Sequence, residues 1–355
     1  ARAERAEKEA ETLGLAAPTK EKAANDGREF RDAVSALRDL VGEDLDRVGG
    51  AIIESMGSST PLIPEVAGHL IQSGGKRLRP MLTLAAARLC GYEGEAHVKL
   101  AAAVELIHGA TLLHDDVVDA SALRRGARTA NIIWGNKESV LVGDFIFARA
   151  FELMVGARNL EVLQILSSAS GVIAEGEVLQ LATQKNLAAT FEMYLAVVES
   201  KTAALFSAAT HSGAVISEAS DPVAEALKNY GRNLGIAYQL IDDALDYAGY
   251  EASLGKSVGD DFREGKMTLP VVYAIARATP DEAAFWKRTI ADGRQGPEDF
   301  ARARDIVSRN GALADTHLCA RRYADRALED LTHAPDNAFS RALAALAETS
   351  LTRGF

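Results

Sequence analysis

The chain has 355 residues and a formal net charge of −11, which argues against a nucleic-acid partner, since phosphate-backbone binding needs a surplus of Lys and Arg. Hydrophobic residues make up 48% and aromatics only 6%, so the core must come from Ala, Leu, Val and Ile, a composition suited to close-packed helices. The two cysteines, Cys90 and Cys319, form no C-x-x-C pair and give no disulfide framework, so reduced thiols and a cytoplasmic location are expected.

Residues 1–29 are rich in Ala, Glu, Lys and Arg and read as a frayed helix or tail. They lack the apolar core of a secretory signal. Residues 30–355 read as one all-α domain. "FRDAVSALRDLVGEDLDRV" spaces its apolar residues by three and four, the helical period. "TPLIPE" (60–65) reads as a loop. The 81–91 stretch reads as a helix, with Pro80 at its start and Gly91 at its end. Long apolar helices are expected at roughly 96–119, 137–156, 160–184, 190–217 and 222–248. A short helix and loop are expected over 280–300, and a final helical stretch closes the chain. Period-two alternation is nearly absent. Helices apolar on most faces imply a multilayer bundle. The most hydrophobic tracts are interrupted by Asp144, Arg149 or His211, so no transmembrane segment is expected.

"HDDVVD" (114–119) follows an almost wholly apolar stretch, and three clustered carboxylates there demand a positive counterpart. On a helix Asp115 and Asp119 share a face, with Asp116 about 100° round. "LLHDDVVD" returns as "QLIDDALD", placing Asp242, Asp243 and Asp246 in the same arrangement 127 residues later. Such oxygen-rich sets suit Mg²⁺, a hard ion that completes its shell with water and phosphate.

The basic counterparts are local. "SGGKRLRP" (73–80) sets Lys76, Arg77 and Arg79 between a Gly-Gly turn and a helix start. "ALRRGAR" (122–128) brings Arg124 and Arg125 after the first aspartate set, where they could equally complement a helix C-terminus. Lys201 and Thr202 lie in the apolar "VVESKTAALF". Lys256, Asp260, Asp261 and Lys266 follow the second set. Together these fit a diphosphate held between Mg²⁺ ions and basic side chains.

GGKRLRP, ELIHGATLLHDDVVD, RRG, the GD at 143–144, GEVLQL, KTAALF, YQLIDDALD, GKSVGDD and GKMTLP occur in this order over about residues 70–275. In this the sequence resembles the trans-isoprenyl (polyprenyl) diphosphate synthases. Tyr238 departs from the family's common Phe. The resemblance implies an all-α isoprenoid-synthase bundle with a deep central cavity, working as a homodimer on an allylic diphosphate and isopentenyl diphosphate. It implies that Asp115, Asp116, Asp119, Asp242, Asp243 and Asp246 hold Mg²⁺, more than one ion per site. Arg124, Lys201, Thr202, Gln239, Lys256 and Lys266 would contact the allylic substrate. Lys76, Arg79, His108 and Arg125 would hold isopentenyl diphosphate. Asp115, Asp116, Asp119, Lys201, Asp242 and Asp243 are the catalytic candidates.

Family members that stop early carry a bulky aromatic four or five residues before the first Asp. Here those positions are Ala110 and Thr111, so a long product of about octaprenyl to decaprenyl length, of the kind used for quinone side chains, is expected. Phe145, Phe147 and Phe151 are candidates for a floor farther down. A shorter-chain synthase, a terpene cyclase and a non-catalytic subunit are the alternatives. Cyclases usually lack the second D-D-x-x-D, and such subunits usually lose one aspartate set, whereas both are complete here.

Overall fold

A computed structural model describes residues 20–72, 74–248 and 258–353. The first helices are α1 (Lys20–Leu40), α2 (Gly42–Ser55), α3 (Leu62–Gln72), α4 (Leu78–Leu89) and α5 (Ala96–Val118). A two-residue hairpin, β1 (Leu123–Arg124) and β2 (Ala127–Arg128), leads into α6 (Ala130–Ile133), α7 (Asn136–Gly156) and α8 (Leu160–Thr183). Then α9 (Phe191–Val198) runs through a π-helical turn (Glu199–Ala203) into α10 (Ala204–Ile216), followed by α11 (Asp221–Ala248). The rest comprises α12 (Asp260–Glu264), α13 (Leu269–Ala276), α14 (Pro280–Trp286) with a second π turn (Lys287–Ala291), α15 (Asp299–Arg309), α16 (Ala312–Leu331) and α17 (Ala338–Thr349).

The helical period therefore translates directly into structure, with two differences. Residues 1–19 lie outside the described set; from Lys20 the chain takes the helical one of the two forms expected for this segment. Residues 62–65 of the expected loop form the first turn of α3. The segment after the first aspartates is a hairpin and not a helix end. Its turn residues Arg125 and Gly126 both take positive φ (53° and 79°), the two-residue geometry that matches strand twist and favours Gly in the second place.

Two apolar clusters organise the bundle. One unites α1–α5, α7, α8 and α10 with the start of α11, around side chains such as Leu37, Met81, Leu100, Ile107 and Leu166. The other joins α9 and the second half of α11 to α13–α16, around Leu240, Leu269, Trp286 and Ile306. α11 belongs to both: Leu227, Tyr230 and Leu234 pack in the first cluster, Ile236, Leu240 and Leu245 in the second. That helix packs against α10 and α16, and α5 packs against α7. The aspartate-bearing ends of α5 and α11 are thereby fixed by their own buried apolar lengths.

By length and composition alone, α5 and α8 are long and apolar enough to cross a bilayer, a test that the buried core helices of a bundle also pass. They are not uncharged runs, since Lys99 and Glu105 interrupt α5 and Glu161, Glu175 and Glu177 interrupt α8. In α5 most of the apolar surface is used inside the bundle, with Leu100 to Val104 fully buried.

Candidate active site

One cavity of about 730 Å³ collects most of the side chains singled out in the sequence. Both aspartate segments reach it. Asp115 and Asp119, one helical turn apart at the end of α5, line it with Asp242, Asp243 and Asp246 from the end of α11. Lys76, Arg79, His108, Thr111, Arg124, Arg125, Lys201, Thr202, Gln239 and Lys266 line it as well. Lys256 lies outside the described residues.

The first aspartates are flanked by lysines. The Lys201 ammonium lies 3.7 Å from Asp115 and donates to Glu177 Oε2 at 2.8 Å. Lys201 and Thr202 sit in the π-helical turn, whose extra residue swings both into the cavity, a distortion common at functional sites. Gly176 makes room for that turn: a Cβ there would lie 2.6 Å from Ser200 Cβ and 3.0 Å from Lys201 N. Lys266 donates to Asp119 Oδ2 at 3.1 Å and pairs with Glu264. Burial pushes the Asp115 carboxyl up to about 6, with Glu177 and Asp119 adding repulsion and Lys201 opposing it. Burial works against the Lys266 charge too, but Asp261, Asp119 and Glu264 outweigh it and raise its pKa.

Asp116 is placed apart from its two neighbours in the set. Its side chain is only 4% exposed and does not line the cavity; Arg124 grips it from Nε and Nη2, the latter at 2.7 Å from Oδ1. The offset of about 100° from Asp115 turns it toward the hairpin, where it anchors the arginine instead of facing a ligand. Ala110 also lies off the cavity wall. It is fully buried, whereas Thr111 faces the cavity and donates its hydroxyl to the His108 carbonyl.

The second aspartates are tied by a network. Tyr194 Oη and Gln239 Nε2 donate to Asp243 at 2.6 and 2.7 Å, and Thr202 Oγ1 donates to Gln239 Oε1 at 2.8 Å. The Gly259 and Asp261 amides donate to Asp246. Burial, followed by repulsion from Asp261, pushes Asp243 well above the usual carboxylate range and Asp246 up to about 7. Asp242 meets Arg353 Nη2 at 2.8 Å.

At the other end is a cluster of cations. A Cβ on Gly75 would come within 2.7 Å of Arg125 Nη1, so this glycine of one basic segment seats the arginine of the other. Arg79 lies over the Phe206 ring, 4.7 Å from its centroid, and its buried Nε–H has no partner among the described residues. Desolvation by the surrounding chain, then the charge of Arg353, brings Lys76 down to about 8 although its side chain still reaches solvent. His108 is pushed well below its usual range by burial and then by Arg79, Arg125 and Arg124, so it stays neutral and able to donate without adding charge.

Among the described residues, no group of three or more His, Cys, Asp or Glu side chains converges closely enough to hold a metal unaided. Mg²⁺ does not require one, because it is usually bound through one or two carboxylates, water and substrate phosphates. An all-oxygen donor set opening on a cavity with cations at both ends fits that ion.

Sequence reasoning missed several lining residues. Glu105, Glu177 and Asp261 sit in segments already noted, while Tyr194 and Arg353 carried no pattern pointing to the site.

Residues 60–307 match the Polyprenyl synthetase family model. The chain is 44% identical over 317 residues to octaprenyl diphosphate synthase of Escherichia coli strain K12, covering 89% of this chain and 98% of that one. It is 41% identical over 314 residues to the all-trans-nonaprenyl-diphosphate synthase (geranyl-diphosphate specific) of Rhodobacter capsulatus, covering 88% and 96%. Among solved structures it is similar to a decaprenyl diphosphate synthase from Rhodobacter capsulatus, with TM-score 0.86, 52% identity and coverage of 90% and 98%. It also resembles a polyprenyl synthase from Caulobacter crescentus CB15 complexed with calcium and isoprenyl diphosphate, with TM-score 0.88, 52% identity and the same coverage.

Proposed function

The chain belongs to the polyprenyl synthetase family, and from that premise we propose that it is an Mg²⁺-dependent long-chain trans-polyprenyl diphosphate synthase. It condenses an allylic diphosphate with successive isopentenyl diphosphates to a product of about octaprenyl to decaprenyl length, for quinone side chains. The observation that carries this reading is the meeting of two aspartate segments, 127 residues apart, in one cavity with two separate groups of cations.

Asp115, Asp119, Asp242, Asp243 and Asp246 line the cavity and are the residues to hold Mg²⁺. When bound, the ion supplies counter-charge to a departing diphosphate. Lys201 and Lys266 already stand beside Asp115 and Asp119, so they meet the charge that develops on the leaving group without moving far. Thr202 and Gln239 brace Asp243 and define the wall next to the allylic carbons. Lys76, Arg79, Arg125 and neutral His108 hold the second diphosphate at the opposite end, orienting its double bond toward the allylic cation. The new carbon–carbon bond forms there, and the departing diphosphate takes the proton lost. Leu112, Ile173, Val198 and Phe206 line the cavity and shield the cation from water.

A homodimer is part of the reading. Leu141 and Val155 on α7 and Leu160, Val178 and Leu181 on α8 are more than half exposed, a density of apolar surface that supports burial against a second copy. Free Cys90 and Cys319 support a reduced, cytoplasmic setting.

The test is incubation of the purified chain with farnesyl diphosphate, labelled isopentenyl diphosphate and Mg²⁺, followed by chromatography of the product. A C40–C50 product is expected from the octaprenyl to decaprenyl reading. A C20 product would replace it with a geranylgeranyl-type synthase, and absence of turnover would favour a non-catalytic subunit.

A further inference from the structure

Arg353, beyond α17, is among the last described residues, yet its side chain is only 4% exposed and lines the cavity. Three contacts hold it. Nη2 lies 2.8 Å from Asp242 Oδ1 and also donates to the Tyr238 carbonyl. The guanidinium sits over the Tyr238 ring, 3.2 Å from its centroid. The ring contacts extend further. Tyr238 packs against Phe206 at 5.6 Å with the planes tilted by 38°, and Arg79 lies over Phe206 at 4.7 Å. Two aromatic rings thus link the guanidinium beside Asp242 to that of Arg79.

We propose that Arg353 is a positioning residue of the site: it orients the Asp242 carboxylate, leaving Oδ2 for a divalent cation, and through Tyr238 and Phe206 sets the pose of Arg79. The inference rests on the reading of the aspartates as metal ligands. A guanidinium bound to a carboxylate, a carbonyl and a ring at once is a fixture and not a displaceable counter-ion. Groups that orient a metal-binding carboxylate in this way typically govern metal affinity by roughly ten- to a hundredfold. Tyr238 stands where the family commonly has Phe, and either ring supplies the stacking surface.

The test is calorimetric titration of the full chain with Mn²⁺ in the presence of inorganic pyrophosphate, with the thermal midpoint measured for every variant. Wild type is expected to take up Mn²⁺, and Asp242→Asn to lose most of that affinity. Arg353→Gln is expected to weaken uptake by roughly ten- to a hundredfold with its thermal midpoint close to that of wild type. Tyr238→Leu, which removes the platform and keeps the arginine, should weaken it in the same direction and by more than Tyr238→Phe. This pair decides the matter should Arg353→Gln fail to fold. Wild-type affinity or tighter in Arg353→Gln, or equal affinities in the two Tyr238 variants, overturns the inference while leaving the aspartate reading intact. No Mn²⁺ uptake by the wild type would remove both.

Discussion

Lys266 Nζ donates to Asp119 Oδ2 at 3.1 Å across 147 residues of chain, so the segment that follows the second aspartate set closes directly onto the first. From a third segment, the Lys201 ammonium stands 3.7 Å from Asp115 while it donates to Glu177. The site is therefore built with its positive charges already against its carboxylates, and the two aspartates of the first set that line the cavity are the ones that lysines accompany.

This arrangement separates two neighbouring aspartates. Asp115→Asn removes a cavity carboxylate and should lower turnover by about a hundredfold or more, the scale of losing one preorganised charge contact. Asp116→Asn keeps the cavity wall and loosens Arg124, so its effect should fall mainly on KM for the allylic substrate. Steady-state kinetics of the two variants over a range of Mg²⁺ concentrations makes the comparison, and equal losses with the same Mg²⁺ dependence would refute the distinction.

Product length should respond at position 111. Thr111 faces the cavity, so Thr111→Phe should shorten the product, read by chromatography of labelled polyprenols. Ala110 is fully buried, and Ala110→Phe should first cost stability, about 1–3 kcal/mol by overpacking, seen as a lowered thermal midpoint. Shortening by Ala110→Phe would show that the growing tail parts the helices at that level.

Lys76, held at about 8, loses its charge as pH rises through that value. Its cation is present below about pH 8 and absent above, so kcat/KM for isopentenyl diphosphate should decline on the alkaline side, since this ratio reports groups of the free enzyme. Lys76→Arg carries a charge that does not titrate in this range and should move the decline to higher pH. An unchanged limb in that variant would assign it to another group.

Gly176 tests the π turn. Gly176→Ala puts a methyl 2.6 Å from Ser200 Cβ, so α8 and the turn must separate. A loss of about 1–3 kcal/mol in stability is expected. A drop in kcat approaching a hundredfold should accompany it, because displacement of a positioned group by about 1 Å costs that much. Retained kcat alongside lowered stability would show that Lys201 does not depend on the turn.

The exposed apolar face of α7 and α8 predicts association. Leu141→Glu with Val178→Glu places charges on that face and should shift sedimentation from dimer to monomer, without a change in far-ultraviolet circular dichroism. A monomeric wild type would end the dimer reading.

Much of this was legible in one dimension because the relevant physics is short-range. Apolar spacing located the long helices to within a residue or two, and the four-residue interval already put Asp115 and Asp119 on one face. The glycine of "RRG" is intelligible from its turn, whereas the residue pattern of that segment suggested a helix end and gave no sign of a hairpin. The first turn of α3 reads as a loop because Pro61 and Pro64 dominate the local signal, while burial of Val66 and Ala67 decides the conformation.

The sequence by itself determined the chemistry: two aspartate triplets and basic segments whose residue types and intervals suit diphosphate and a hard cation. Only the tertiary structure decided which members face the cavity. Asp116 turns to Arg124, Asp243 to Tyr194 and Asp242 to Arg353, partners 8, 49 and 111 residues away. The helical period fixes the angle between neighbouring side chains, but the direction of the helix face is set by packing against distant elements, and no local interval encodes that.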